Sequence, residues 1–140
     1  MAVMLDTSAV IALVERKHVG IRRLLDVHGV LPNVSVMTIG ELEHGVEAAT
    51  DHVQRRRRAW TLQACDRMDV SNIDRATARL YGRLSLELPR RVGSADRWIA
   101  AGAAVLGATL VTFDRPLAEA LADRRKSADH IEIATILLDG

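Results

Sequence analysis

Cysteine occurs once in this 140-residue chain, as Cys65. A lone thiol excludes an internal disulfide and suits a reducing compartment. Aromatic residues make up only 3% of the sequence, so Leu, Val, Ile and Ala must fill the core. Charge of one sign is also missing. Nineteen basic and eighteen acidic residues leave a net charge of +1, which is not the field of a general nucleic-acid binder. Any such contact must come from a local patch. Lysine is nearly absent, with only Lys17 and Lys126. Arginine suits phosphate contacts, but genomic base composition gives the same bias and is the simpler cause. No long hydrophobic run is present. The mostly apolar stretch from Ile99 to Phe113 has three small-residue breaks and is too short to span a bilayer. Asp6 interrupts the amino-terminal apolar run after five residues, which argues against a signal peptide. A soluble, cytoplasmic protein without membrane contact is expected. Neither a Gly-x-x-x-x-Gly-Lys-Ser/Thr loop nor a Gly-x-Ser-x-Gly elbow occurs, so P-loop chemistry and that form of serine catalysis are excluded.

The pattern that is present alternates short apolar strands with helical stretches. No repeat, low-complexity tract or linker divides it, and the length suits one domain over residues 1–140. Met1–Leu5 reads as a strand, followed by helices from Thr7 to Val14 and from His18 to Val27. Val30–Val36 reads as a strand, then helices run from Thr38 to Ala49 and from Asp51 to Ala64. Met68–Val70 reads as a short strand. Ser71 or Asn72 is expected to cap a helix reaching Leu88, and Ser94 one reaching Leu106. Ala108–Thr112, a helix from Pro116 to Asp123, and a strand over Ile131–Leu137 complete the chain. This alternation predicts βαβ units and an α/β fold with a mainly parallel sheet.

Four acids hold notable positions. Asp6 ends the first strand, Glu41 follows the apolar stretch Val34–Met37, and Asp114 follows Ala108–Phe113. Asp96 opens the alanine-rich helix leading into that last strand. Parallel sheets gather their sites at the carboxyl ends of their strands, and no Lys or Arg holds an equivalent strand-end position. Clustered carboxylates without a basic partner call for a cation, and all-oxygen ligation suits Mg²⁺ or Mn²⁺. Each acid also has a structural explanation. Asp6 and Asp114 could cap the helices that follow them. Thr38-Ile39-Gly40-Glu41 matches a capping box. Asp96 could favour its helix dipole or pair with Arg97. Thr7, Ser8 and Thr112 are hydroxyls placed to support the acids.

These segments resemble the PIN-domain ribonucleases, and most closely their VapC-type toxins. Met4-Leu5-Asp6-Thr7-Ser8-Ala9 is similar to the family's opening motif, and Val36 to Gly45, with Glu41, to the second. Ala95-Asp96-Arg97-Trp98-Ile99-Ala100-Ala101 and Leu110-Val111-Thr112-Phe113-Asp114 are similar to the third and fourth. Arg97-Trp98 and Phe113 depart from the family's usual residues, and Trp98 is expected to pack on the core. The resemblance implies a PIN-like three-layer α/β/α fold. It implies an Mg²⁺- or Mn²⁺-dependent endoribonuclease in which Asp6, Glu41, Asp96 and Asp114 are catalytic metal ligands. It also implies a cognate antitoxin that covers the site, a homodimer, and an RNA substrate such as tRNA or rRNA. A PIN nuclease of RNA processing, or a catalytically inactive PIN-fold binding module, would share the pattern.

Other features carry less. Arg55-Arg56-Arg57-Arg58 is the most basic run, but consecutive helical residues point about 100° apart, so a solvated surface is expected ahead of docking. Glu15-x-x-His18 and Glu41-x-x-His44 match a di-iron bundle motif, yet the strand-like segment with Pro32 lies between them. A phosphoacceptor domain would need paired acids after the first strand and a late lysine. Here the first position holds only Asp6, and Lys126 lies in a polar segment. Cys65 is expected to be a small core residue. Leu80, Leu84, Leu86 and Leu88 are expected to offer a dimer surface.

Overall fold

Five parallel strands form the sheet of the computed structural model, which describes residues 1–124 and 132–139. In chain order they are β1 (Val3–Leu5), β2 (Asn33–Ser35), β3 (Asp69–Ser71), β4 (Thr109–Thr112) and β5 (Thr135–Leu137). Seven helices connect and cover them: α1 (Thr7–Glu15), α2 (Val19–His28), α3 (Val36–Glu47), α4 (His52–Ala64), α5 (Arg75–Glu87), α6 (Ser94–Leu106) and α7 (Arg115–Asp123). The order across the sheet is β3-β2-β1-β4-β5. Each half of the chain therefore builds outward from β1, and the reversal falls between β1 and β4. Residue 131, the expected start of the last strand, lies outside the described residues, as do Lys126 and His130.

β1 is central because it is apolar on both faces, as a parallel strand covered by helices must be. Its three residues are fully buried. Alternation along the strand sends Met4 to one layer and Val3 and Leu5 to the other. Met4 joins Leu84, Ile99, Leu110 and Leu117 in a core built on α5, α6, α7 and β4. Val3 and Leu5 join Ala9, Leu13, Ile21, Leu25, Val111 and Leu42 from α1, α2, β4 and α3. Two helical layers on one sheet give the expected three-layer α/β/α arrangement. Cys65 is buried as expected, and that burial, with Asp66 beside it, pushes its thiol upward from its ordinary range.

Several helix starts differ from the sequence expectation. α3 begins at Val36 and is capped by the Ser35 hydroxyl, which accepts from Met37 N. Thr38 is consequently a buried residue within the first turns, and the expected Thr38–Glu41 capping box does not form. α5 is capped by Asp74, not Ser71 or Asn72, because Ser71 is used in β3 opposite Ser35. α6 has Gly93 at its cap and no side-chain cap; Ser94 is its first helical residue. Its other end closes on Gly107, whose φ of 61° is left-handed, and the chain turns there into β4. Leu84 and Leu88 are buried in the core; of the expected leucine surface only Leu86 is fully outward, at 90% exposed, with Leu80 half-buried.

Candidate active site

The carboxyl ends of β1 and β4 meet where the strand order reverses, the place where open α/β sheets form a crevice. Asp6 leaves β1 there. It is 3% exposed, and its backbone N–H donates to Val111 O at 3.1 Å, tying it to β4. Its Oδ1 accepts from Ala9 N at 2.9 Å and from the Ser8 hydroxyl at 2.7 Å, so Asp6 caps α1. Its Oδ2 accepts from the Thr112 hydroxyl on β4. The same Thr112 oxygen accepts from Asp114 N at 2.9 Å. Thr112, fully buried, thus joins the two acids. Ser8 Oγ accepts from Phe113 N at 3.2 Å and fixes the same turn.

Asp114 caps α7, its Oδ1 accepting from Leu117 N at 3.0 Å. Glu41 lies further out, six residues beyond β2 and on the exposed side of α3. It is reached by Thr7, the first residue of α1, whose hydroxyl donates to Glu41 Oε1 at 2.7 Å and lies 3.1 Å from the Thr38 hydroxyl. The buried Thr38 is a positioning group within the helix and not its cap.

Asp96 sits in the first turn of α6, half-buried. Among the described residues no hydrogen-bond donor reaches its carboxylate. Arg97, one candidate partner by sequence, turns away: its Nε donates to Val92 O at 2.9 Å and its Nη2 to Pro89 O at 3.1 Å. Arg97 therefore braces the loop before α6. The Asp96 pKa is pushed up to about 6, first by burial and then by the charges of Asp114, Asp6 and Glu41. That set of causes places all four acids in one electrostatic neighbourhood. A helix N-terminus favours an anion by about 0.3–1 kcal/mol; here burial and three like charges outweigh it.

Two hollows flank the acids. One of about 240 Å³ holds Asp96 and Asp114 with Arg91 at its rim. Arg91 is a neighbour that strand periodicity did not reveal. The other, of about 540 Å³, opens beside Thr7 and Glu41. Among the described residues no Lys or Arg nitrogen comes within ion-pair distance of any of the four acids. The side chains do not close into a finished cage, since among the described residues no three acidic, His or Cys groups converge as a metal site. The donor set still fits Mg²⁺ or Mn²⁺. Mg²⁺ keeps several waters and is usually held by only one or two carboxylates, and Asp96 is a half-buried carboxylate lacking both a donor and a countercharge.

A profile of the family described as PIN domain matches residues 3–122. The chain belongs to the PIN-domain family. This PIN domain is 37% identical over 83 residues to Ribonuclease VapC5 of Mycobacterium tuberculosis, an alignment covering 57% of this chain and 62% of that protein. The chain thus spans less than two thirds of that curated relative. Among solved structures it is similar to a chain of VapBC-5 from Mycobacterium tuberculosis, a member of the VapBC family of toxin-antitoxin systems. There the TM-score is 0.71 and the identity 31%, over 96% of this chain and 98% of that one. DNA-bound VapBC from Salmonella typhimurium matches with a TM-score of 0.74 and 25% identity, over 96% and 98%. Asp6, Glu41, Asp96 and Asp114 all lie within the residues that the family profile spans.

Proposed function

We propose that this chain is an Mg²⁺- or Mn²⁺-dependent endoribonuclease and the toxin of a VapBC-type toxin–antitoxin pair. The observation that carries the chemistry is the Asp96 carboxylate, half-buried beside Asp114 in one hollow, with neither a hydrogen-bond donor nor a basic partner among the described residues. A carboxylate so placed carries an uncompensated negative charge that a divalent cation can neutralise. Likeness to Ribonuclease VapC5 supports RNA as the substrate, and likeness to VapBC-5 supports an antitoxin partner.

In this reading Asp6 and Asp96 are the principal metal ligands, and Glu41 and Asp114 complete or extend the site. When bound, Mg²⁺ or Mn²⁺ supplies charge neutralisation at the phosphate oxygens and a water of lowered pKa as nucleophile. The chain's own residues do the positioning. Thr112 and Ser8 hold Asp6 against the strand end, and Thr7 holds Glu41 over the 540 Å³ hollow. No side chain acts as a covalent nucleophile. The antitoxin covers the acids, and a homodimer and a cytoplasmic location belong to the same proposal. Among the described residues no helix is long and apolar enough to cross a membrane.

Incubation of total RNA with purified protein tests the reaction. Discrete cleavage with Mg²⁺ or Mn²⁺, abolished by EDTA and by Asp6→Asn, is the expected result. Undiminished cleavage by Asp6→Asn would overturn the assignment.

A further inference from the structure

The four-arginine run on α4 does not act as one basic face. Arg55 reaches Glu47 at 3.6 Å on the surface. Arg58 is half-buried, and its Nη1 donates to Gly45 O at 2.6 Å, clamping α4 onto α3. Gln54, Arg57, Arg58 and Thr61, at helical spacing i, i+3, i+4 and i+7, turn one face of α4 into the 540 Å³ cavity. Arg56 is not part of that wall. The Arg57 guanidinium is the uncommitted charge, with no hydrogen bond or ion pair among the described residues.

Another wall is the half-buried flank of α1, from Thr7 through Ile11 to Glu15. Thr7 and Glu41 belong to both this cavity and the acid cluster, so the cavity opens at the Glu41 edge of that cluster. Its volume falls within the range of about 300–1,000 Å³ typical of small-molecule sites. Its lining combines apolar surface from Ile11, Leu42 and Ala48 with the polar ends of Gln54 and Glu15. Gln54 Oε1 already accepts from Thr50 N at 2.9 Å, which leaves its amide N–H groups available to donate. An apolar patch bounded by a donor, an acceptor and a guanidinium matches an unstacked nucleotide, whose base is read by its edges.

We propose that this cavity is a subsite for one nucleotide of a single RNA strand, next to the scissile phosphate, with Arg57 on a flanking phosphate. The inference rests on the nuclease reading and adds to it the route of the strand, which runs from the acid cluster over Glu41 and between α1 and α4. Arg58 shapes the wall and is a positioning residue.

The test is binding measured without cleavage. Fluorescence anisotropy of a labelled 15-nucleotide mixed-sequence RNA in EDTA compares wild type with Arg57→Gln, Arg57→Lys and Arg56→Gln. Arg57→Gln is expected to raise Kd about ten-fold, as loss of one charge-assisted contact does. It also makes the slope of log Kd against log salt shallower by about 0.7, the value for one phosphate on a single strand. Arg57→Lys recovers part of the affinity, and Arg56→Gln, with the same charge change, leaves it unchanged. Equal weakening by Arg56→Gln and Arg57→Gln would mean diffuse attraction and overturn the subsite. So would unchanged RNA affinity in Arg57→Gln together with weakened antitoxin binding, which would make the cavity a protein-docking site. Failure of wild type to bind this RNA overturns it too. Tight, Arg57-dependent binding without metal-dependent cleavage would instead keep the subsite and remove the nuclease reading.

Discussion

Replacing Asp96 by Asn should stabilise the metal-free protein, although the residue belongs to the proposed site. The folded-state pKa of about 6 lies a little over two pH units above the ordinary 3.8. At 1.36 kcal/mol per unit, ionising Asp96 at neutral pH costs the fold at most about 3 kcal/mol. The group is only half-buried, so solvent screening reduces this to about 1–2 kcal/mol. Asn is nearly the same shape, carries no charge and escapes that cost. In EDTA at pH 7.5 the Asp96→Asn variant should therefore melt roughly 4–8 °C above wild type. The sign against pH follows from a raised folded pKa. The folded state holds this proton more tightly than the unfolded chain. Wild type thus keeps the associated stability below about pH 4 and loses it as pH rises through 6. The gap between variant and wild type should shrink toward zero near pH 4, where both are neutral at this position. Mg²⁺ reverses the order at neutral pH, because wild type gains the free energy of cation binding and the variant gains less. Differential scanning fluorimetry across pH 4–8, with EDTA or Mg²⁺, reads all of this without any cleavage assay. A variant no more stable than wild type in EDTA at pH 7.5, or a gap that does not narrow in acid, would refute the argument that these four acids repel one another.

Three further outcomes follow from other parts of the fold. Thr112→Val keeps shape but removes the hydroxyl joining Asp6 Oδ2 to Asp114 N; it should lose about 1–3 kcal/mol in urea unfolding, with Thr112→Ser recovering most of it. Asp114→Ala should lose both the α7 cap, about 0.5–2 kcal/mol, and cleavage activity, whereas Asp114→Asn keeps the cap and loses activity alone; equal melting points for the two would contradict the capping geometry. Leu110→Ala, in a fully buried β4 position, should cost about 2–5 kcal/mol by denaturant unfolding with native-like circular dichroism at low denaturant.

The sequence carried the central strands and two of the acids plainly, for a physical reason. β1 and β4 are apolar on both faces, and a carboxylate ending each is conspicuous because nothing else there is polar until the strand stops. Glu41 was harder to read, because Val34-Ser35-Val36 looks continuous as a strand. The Ser35 hydroxyl captures Met37 N and starts the helix at Val36, two residues before Thr38. The Thr38–Glu41 spacing then describes two side chains that converge on Thr7 from within a helix. Ser71 was unavailable as a cap because it pairs in β3, an edge strand whose Val70 is exposed and therefore weakly marked. Local order leaves an Asp96–Arg97 pair open, whereas in the fold the guanidinium finds two carbonyls five and eight residues back. Trp98 does not sink into the core; it is half-buried and stacks on Tyr81 of α5 with ring centroids 3.9 Å apart.

Helix capping and cation binding compete for Asp6 and Asp114 only while a carboxylate is counted as one group. It has two oxygens. Oδ1 of Asp6 takes Ala9 N and Ser8, and Oδ1 of Asp114 takes Leu117 N. Each cap fixes one oxygen to the start of a helix and so fixes the direction of the other. For Asp6 that second oxygen meets Thr112; for Asp114 it has no protein donor among the described residues. The two helices that cover the sheet on either side thereby hold both carboxylates in place before any ligand arrives, and little ordering entropy remains to be lost on binding. Asp96 has no such anchor, and α6 begins without a side-chain cap. The unfavourable charge of the cluster is therefore concentrated on the one acid of the four that no donor holds among the described residues. For that reason Asp96 is the position at which removing a negative charge changes stability most in the absence of a cation.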